Sequence, residues 1–158
     1  MTPKPTGRLR GNDLILTRRF RAPIEDVWTS VTDPDSTARW FGRWEGAPGA
    51  GNQIRVQMMF EKGEPWMDVT IEACEAPHRY VVATNDSSGQ WRLEIRLQQT
   101  GDVTELELVH HAIDRKMGGE VGPGWEYYLD NLVAAREGQP LPTFEMYYPA
   151  QKAYFLDL

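Results

Sequence analysis

The stretch GPGWEYYLDNLVAAREG, residues 122–138, reads as a helix with both ends marked. Pro123 fits a first helical turn, where a missing N–H does no harm. Glu126 and Asp130 lie towards the positive end of the helix dipole and Arg136 at the negative end. Gly138 can take the left-handed conformation that ends a helix, and Pro140 blocks a restart. Trp125, Tyr128, Leu129 and Leu132 fall at i, i+3, i+4 and i+7, which places them on one face. Four large apolar side chains on one face need a broad apolar partner surface. Glu126 and Asp130, one turn apart and off that stripe, are assigned to a solvated face.

The partner surface is found upstream. Leu14 to Phe20 is rich in branched and aromatic residues and predicts a strand. Pro23 opens a short helix over Ile24 to Val31, and Asp33-Pro34 opens a second that ends at Trp40-Phe41-Gly42. Then come segments with alternating polarity. Ile54 to Phe60, Met67 to Cys74, Tyr80 to Thr84, Trp91 to Gln98 and Val103 to His111 each read as a half-buried strand. Turns are marked by Gly63-Glu64-Pro65, Glu75-Ala76-Pro77-His78 and Thr100-Gly101-Asp102, with a loop at Asn85 to Gly89.

Strands joined by short turns pair as antiparallel neighbours. One face of each strand is apolar and the other charged, so one side of the sheet meets water and the other needs a cover. The late helix supplies it. The expected fold is α+β: a curved antiparallel sheet of about six or seven strands wrapped around a long C-terminal helix, with two short helices after strand 1. Residues 1–13 are assigned to a flexible N-terminus and 14–138 to the domain. Residues 139–158 form an aromatic tail, with Phe144, Tyr147, Tyr148, Tyr154 and Phe155, expected to pack back on the domain.

Bulk properties bound the function. The 158 residues fit one domain, and 41% hydrophobic content allows a core. The net charge of -6 argues against non-specific binding to nucleic acid or an anionic membrane. No apolar run approaches the roughly 20 residues of a membrane helix. The single Cys74 excludes an internal disulfide and fits a cytoplasmic location.

The segments LTRRFRAPIEDVWTSVTDPDSTARWFG, EACEAPHRY and GPGWEYYLDNLVAAREG resemble the SRPBCC superfamily, with its START-like helix-grip fold. The branch they are most similar to is the bacterial relatives of the activator of the ninety-kilodalton heat-shock chaperone ATPase. The resemblance implies a deep cavity between sheet and helix. It does not imply one reaction, because such folds host carriers, cyclases and chaperone regulators.

The candidate ligand-binding residues are Trp40, Phe41, Met58, Phe60, Trp91, Leu93, Leu108, His110, Trp125, Tyr128, Leu129 and Leu132. Pockets are typically apolar with a few polar groups, here His110 and Tyr128. Periodicity alone equally describes a filled core, each side chain contributing about 1.5–3 kcal/mol by burial. His110 alternates with Leu106 and Leu108 and faces the helix, so His111 faces away and the two cannot share a metal. His111 with Asp114 is a weak metal or surface pair, with no third ligand at convincing spacing. No G-x-S-x-G, P-loop or G-x-G-x-x-G is present, so no catalytic residue, metal or cofactor is assigned. The expected function is binding of an apolar or aromatic small molecule. A cyclase- or hydrolase-type enzyme using the same cavity and a chaperone-regulator-like module remain as alternatives, and a homodimer or protein partner stays open.

Overall fold

A computed structural model describes residues 3–86 and 89–158. The order is β1 (Arg8–Arg10), β2 (Asp13–Phe20), α1 (Ile24–Thr32), α2 (Pro34–Thr37), β3 (Trp44–Glu45), β4 (Gln53–Gln57), β5 (Trp66–Glu75), β6 (Arg79–Asp86), β7 (Gly89–Thr100), β8 (Val103–His111), α3 (Gly118–Glu137) and α4 (Lys152–Leu156). The strands form one antiparallel sheet in the order β1-β2-β8-β7-β6-β5-β4-β3. Eight strands replace the expected six or seven. The additions are short: β1 pairs Arg8 with Ile15, and β3 pairs Trp44 with Val56. The loop expected at Asn85–Gly89 falls partly outside the described residues.

The helices after β2 are fastened by tryptophan. A helix leaves its last four carbonyls without intrahelical donors. At the end of α1, Trp40 Nε1 donates to Ser30 O at 2.9 Å and Trp44 Nε1 to Thr32 O at 3.0 Å. Asp33 caps α2 by accepting from the Ser36 N–H. Arg136, near the end of α3, donates to Ser30 Oγ at 2.6 Å and ties the long helix to α1.

Three sequence expectations are corrected. The strand expected to reach Phe60 ends at Gln57: Met58 N–H still donates to Pro65 O, but Pro65 has no N–H to return the bond, and Glu61 N–H closes a turn on Met58 O. The long helix begins at Gly118 rather than at Pro123, which lies inside it. The small residues Gly118, Gly119 and Gly122 let that added turn sit against α4. A Cβ on Gly122 would fall 2.2 Å from the Phe155 ring.

The third correction concerns the helix face assigned to solvent. Glu126 is 1% exposed. The N-terminal segment, expected to be a free lead-in, lies over it. The backbone N–H groups of Thr6 and Gly7 and the Thr6 hydroxyl all donate to its carboxylate. Arg18 bridges it to Asp130. The tail closes the arrangement: Tyr147 Oη donates to Asp130 at 2.7 Å, Gln151 to Pro3 O at 2.9 Å and Tyr154 Oη to Gly7 O at 2.7 Å. Tyr147 and Phe155 are buried.

The outer face of the sheet is charged at its surface, but not solvated throughout. Ile15, Val109, Glu94 and Val81 lie side by side in register and are all buried. Arginines from both sides cover them. Arg79 and Arg96 both reach Glu94, and Arg96 and Arg10 reach Glu107. His111 faces this outer network, with Nε2 2.8 Å from Glu94 Oε1 and Nδ1 3.4 Å from Asp13 Oδ2, and not Asp114.

Candidate ligand site between sheet and helix

Side-chain alternation sends Leu14, Leu16, Leu106, Leu108 and His110 of β2 and β8 towards α3, whose Leu129 and Leu132 cover them. All are buried. The same face of the sheet continues through β7 and β6 by the pairs Leu93–His110, Ile95–Leu108, Val82–Leu93 and Tyr80–Ile95. There the burial changes. Tyr80, Val82, Trp91, Leu93 and Ile95 are only partly buried, although Leu97 at the end of the same row is sealed. Trp28 of α1 meets Tyr80 edge-on at 6.0 Å and bounds the strip at one end. The helix thus grips the β2–β8 side and leaves an apolar strip over β6 and β7.

An aromatic wall stands beside this strip. Phe41 stacks on Trp125 with ring centroids 6.1 Å apart and planes 12° from parallel. Tyr128 meets Phe41 at 4.8 Å, and Phe60 meets Tyr127 at 6.5 Å. Offset and edge-on contacts of this kind each add about 0.5–1.5 kcal/mol beyond area burial.

Two polar groups enter the wall. His110 Nδ1 accepts a hydrogen bond from Trp125 Nε1 at 3.1 Å, and its ring lies 4.9 Å from that of Trp91. Burial pushes the His110 pKa down, the neighbouring His111 adds to the effect and Asp13 opposes it, leaving about 4. Tyr128 Oη donates to Glu61 Oε2 at 3.0 Å, and burial first, then the Glu61 charge, pushes its phenol well above the ordinary value. Glu61 lies in the loop between β4 and β5.

Of the residues expected to line a cavity, Trp40, Met58, Leu108, His110, Trp125, Tyr128, Leu129 and Leu132 are buried, while Phe41, Phe60, Trp91 and Leu93 stay partly exposed. Tyr80, Val82 and Trp28 belong to the open strip and were outside that set, and so does Ile95, which the alternation of Trp91 and Leu93 already places on the helix-facing side. In Tyr80-Val81-Val82 both faces of the strand are apolar, so alternation within β6 cannot say which residue faces the helix. Pairing with β7 does. Two surface hollows lie away from the strip: one of about 400 Å³ opens by Lys4, Thr6, Arg18 and Asp130, and one of about 10 Å³ by Leu9, Leu14 and Phe155.

Among the described residues, no group of three or more His, Cys, Asp and Glu side chains is placed to hold a metal. No helix among them is long and apolar enough to cross a membrane.

Residues 21–137 match the family described as Activator of Hsp90 ATPase homolog 1-like protein. Among solved structures, CalU16 from Micromonospora echinospora is 30% identical, with a TM-score of 0.78 over 92% of this chain and 87% of that one. A protein from Bordetella parapertussis is 22% identical, with a TM-score of 0.74 over 99% of this chain and 92% of its own. DynU16, encoded in the dynemicin biosynthetic locus, is 20% identical, with a TM-score of 0.71 over 89% of this chain and 51% of its own. The last two likenesses show the fold. No curated protein matches the chain. With sheet, long helix and family match in agreement, this chain is a helix-grip protein of the SRPBCC type and belongs to the Activator of Hsp90 ATPase homolog 1-like family.

Proposed function

We propose that the protein binds an apolar or aromatic small molecule on the helix-facing side of β6 and β7. The observation that carries this reading is the partly buried row of Tyr80, Val82, Trp91, Leu93 and Ile95, continuous with the aromatic wall of Phe41 and Trp125. An apolar row that the core leaves incompletely covered, beside aromatic rings and a few polar groups, is the kind of surface a small apolar ligand completes. Binding is favoured over acid–base catalysis because a proton-transfer group works best with a pKa near the operating pH. His110 is pushed down to about 4 and Tyr128 is pushed up. A small molecule is favoured over a protein partner because the arginines and carboxylates of the outer face are already paired with one another.

The test is a thermal melt against fatty acids, sterols, flavonoids and polyketide-like aromatics. A ligand at a hundred times its Kd adds about 2.7 kcal/mol of stability, which is a shift of several degrees. The shift is expected to shrink sharply in Trp91→Ala. No shift from any compound overturns the reading.

A further inference from the structure

One hydrogen-bond donor is left unused at the edge of the apolar strip. Trp125 Nε1 donates to His110 Nδ1. An indole nitrogen is a donor and never an acceptor, so Nδ1 must present its lone pair. A neutral imidazole carries one proton, which therefore sits on Nε2. Burial keeps the ring neutral near pH 7, its pKa lying at about 4.

Nε2 has no acceptor among the described residues. The sealed side-chain nitrogen and oxygen atoms that lack partners there are Asn131 Oδ1 and Gln151 Oε1. Nε2 is not among these sealed atoms, although His110 as a whole is 4% exposed. The imidazole adjoins Trp91, whose ring is 4.9 Å away, and Leu93 is its cross-strand neighbour. Both side chains are partly exposed.

We infer that His110 is a specificity-determining residue whose Nε2–H selects a flat aromatic ligand bearing a carbonyl-type oxygen acceptor over a plain hydrocarbon. The inference rests on the binding surface proposed above and names the class of molecule it takes. The ring offers a donor and no free lone pair, so a hydroxyl acting only as donor gains nothing from it. The ring is neutral, so it offers a dipole and not a charge. A carboxylate would lose its hydration with no counter-charge from this residue. The flatness follows from Trp91, which presents a ring beside the donor.

The experiment compares 9-fluorenone with fluorene, which differ by the carbonyl, in NMR titrations of the wild type and His110→Phe. The wild type is expected to bind fluorenone about fivefold more tightly, the worth of one neutral hydrogen bond. His110→Phe is expected to lose that preference, so that fluorenone binds it no more tightly than fluorene does. Should the variant fail to fold, the wild type labelled with ¹⁵N-histidine still decides. Its His110 is expected to be protonated on Nε2 alone, and fluorenone but not fluorene is expected to shift the Nε2–H resonance.

Equal affinity for the two compounds, a proton on Nδ1, or an unchanged preference in His110→Phe overturns the role of His110 and leaves the apolar surface standing. Binding of neither compound, together with a thermal panel that gives no shift, overturns both.

Discussion

Arg18 Nη2 lies 2.9 Å from Glu126 Oε1, an ion pair between β2 and the middle of α3 in which the carboxylate is 1% exposed. Removing one partner of a buried pair leaves an uncompensated charge, at a cost of about 3–5 kcal/mol. Arg18→Met is therefore expected to destabilise the protein strongly, as is Glu126→Ala. The double variant should be less destabilised than the sum of the two. Urea denaturation of all four proteins measures the coupling.

Acid titration should show two overlapping losses of stability. His110 is a base whose pKa is lowered on folding, so the unfolded chain binds a proton that the native one does not. Its contribution is present above 6.5 and falls away as the pH drops towards about 4. Glu94 is an acid whose pKa is also lowered. Burial pushes it up, but hydrogen bonds from Arg96, Arg79 and His111 outweigh burial and bring it to about 2. Its contribution is present above about 4.5 and is lost as the pH falls towards 2. Denaturation midpoints measured from pH 7 to 2 should flatten in the lower window for Glu94→Gln. The upper window should flatten for His110→Gln.

Core and binding surface should separate by mutation. Leu129 is 1% exposed, and Leu129→Ala is expected to cost about 2–5 kcal/mol through lost burial and a cavity. Leu93 is partly exposed on the same side of the sheet, so Leu93→Ala should cost clearly less. Denaturant melts read the difference. Equal costs would place Leu93 in the sealed core and count against an open strip.

Gly122 tests the packing of the tail. Its Cβ would fall 2.2 to 2.6 Å from three atoms of the Phe155 ring. Gly122→Ala is expected to destabilise by about 1–3 kcal/mol, as overpacking does. Phe155→Leu in the same background should recover part of that loss in a thermal melt. It takes away the ring that clashes.

The helix stripe of Trp125, Tyr128, Leu129 and Leu132 and the alternation in β7 and β8 were enough to read the sheet, the long helix and the side of the sheet each faces. These signals are local and periodic. What escaped was set by contacts across the chain. Glu126 looks solvated on a helical wheel because the irregular segment around Thr6 and Gly7 that buries it lies about 120 residues earlier in the sequence. Glu94 looks like any outward carboxylate in an alternating strand until Arg79, Arg96 and His111 close over it. The candidate site divides in the same way. His110, Trp91 and Trp125 could be placed on the helix-facing side from parity. That the helix covers β8 more fully than β6 depends on where α3 lands, and no periodicity encodes it.

The hydrogen bonds from Gln151 to Pro3 and from Tyr154 to Gly7 bring the N-terminal segment and the aromatic tail side by side. Two segments held this close can be joined by a linker and the chain opened elsewhere. The turn between β7 and β8, where Gly101 has a φ of +63° and open space around it, is a suitable new opening. Such a permutant would make the straps from both ends continuous. It would also make β7 the last strand of the chain, with a free end at Thr100 where a reporter dye could be attached.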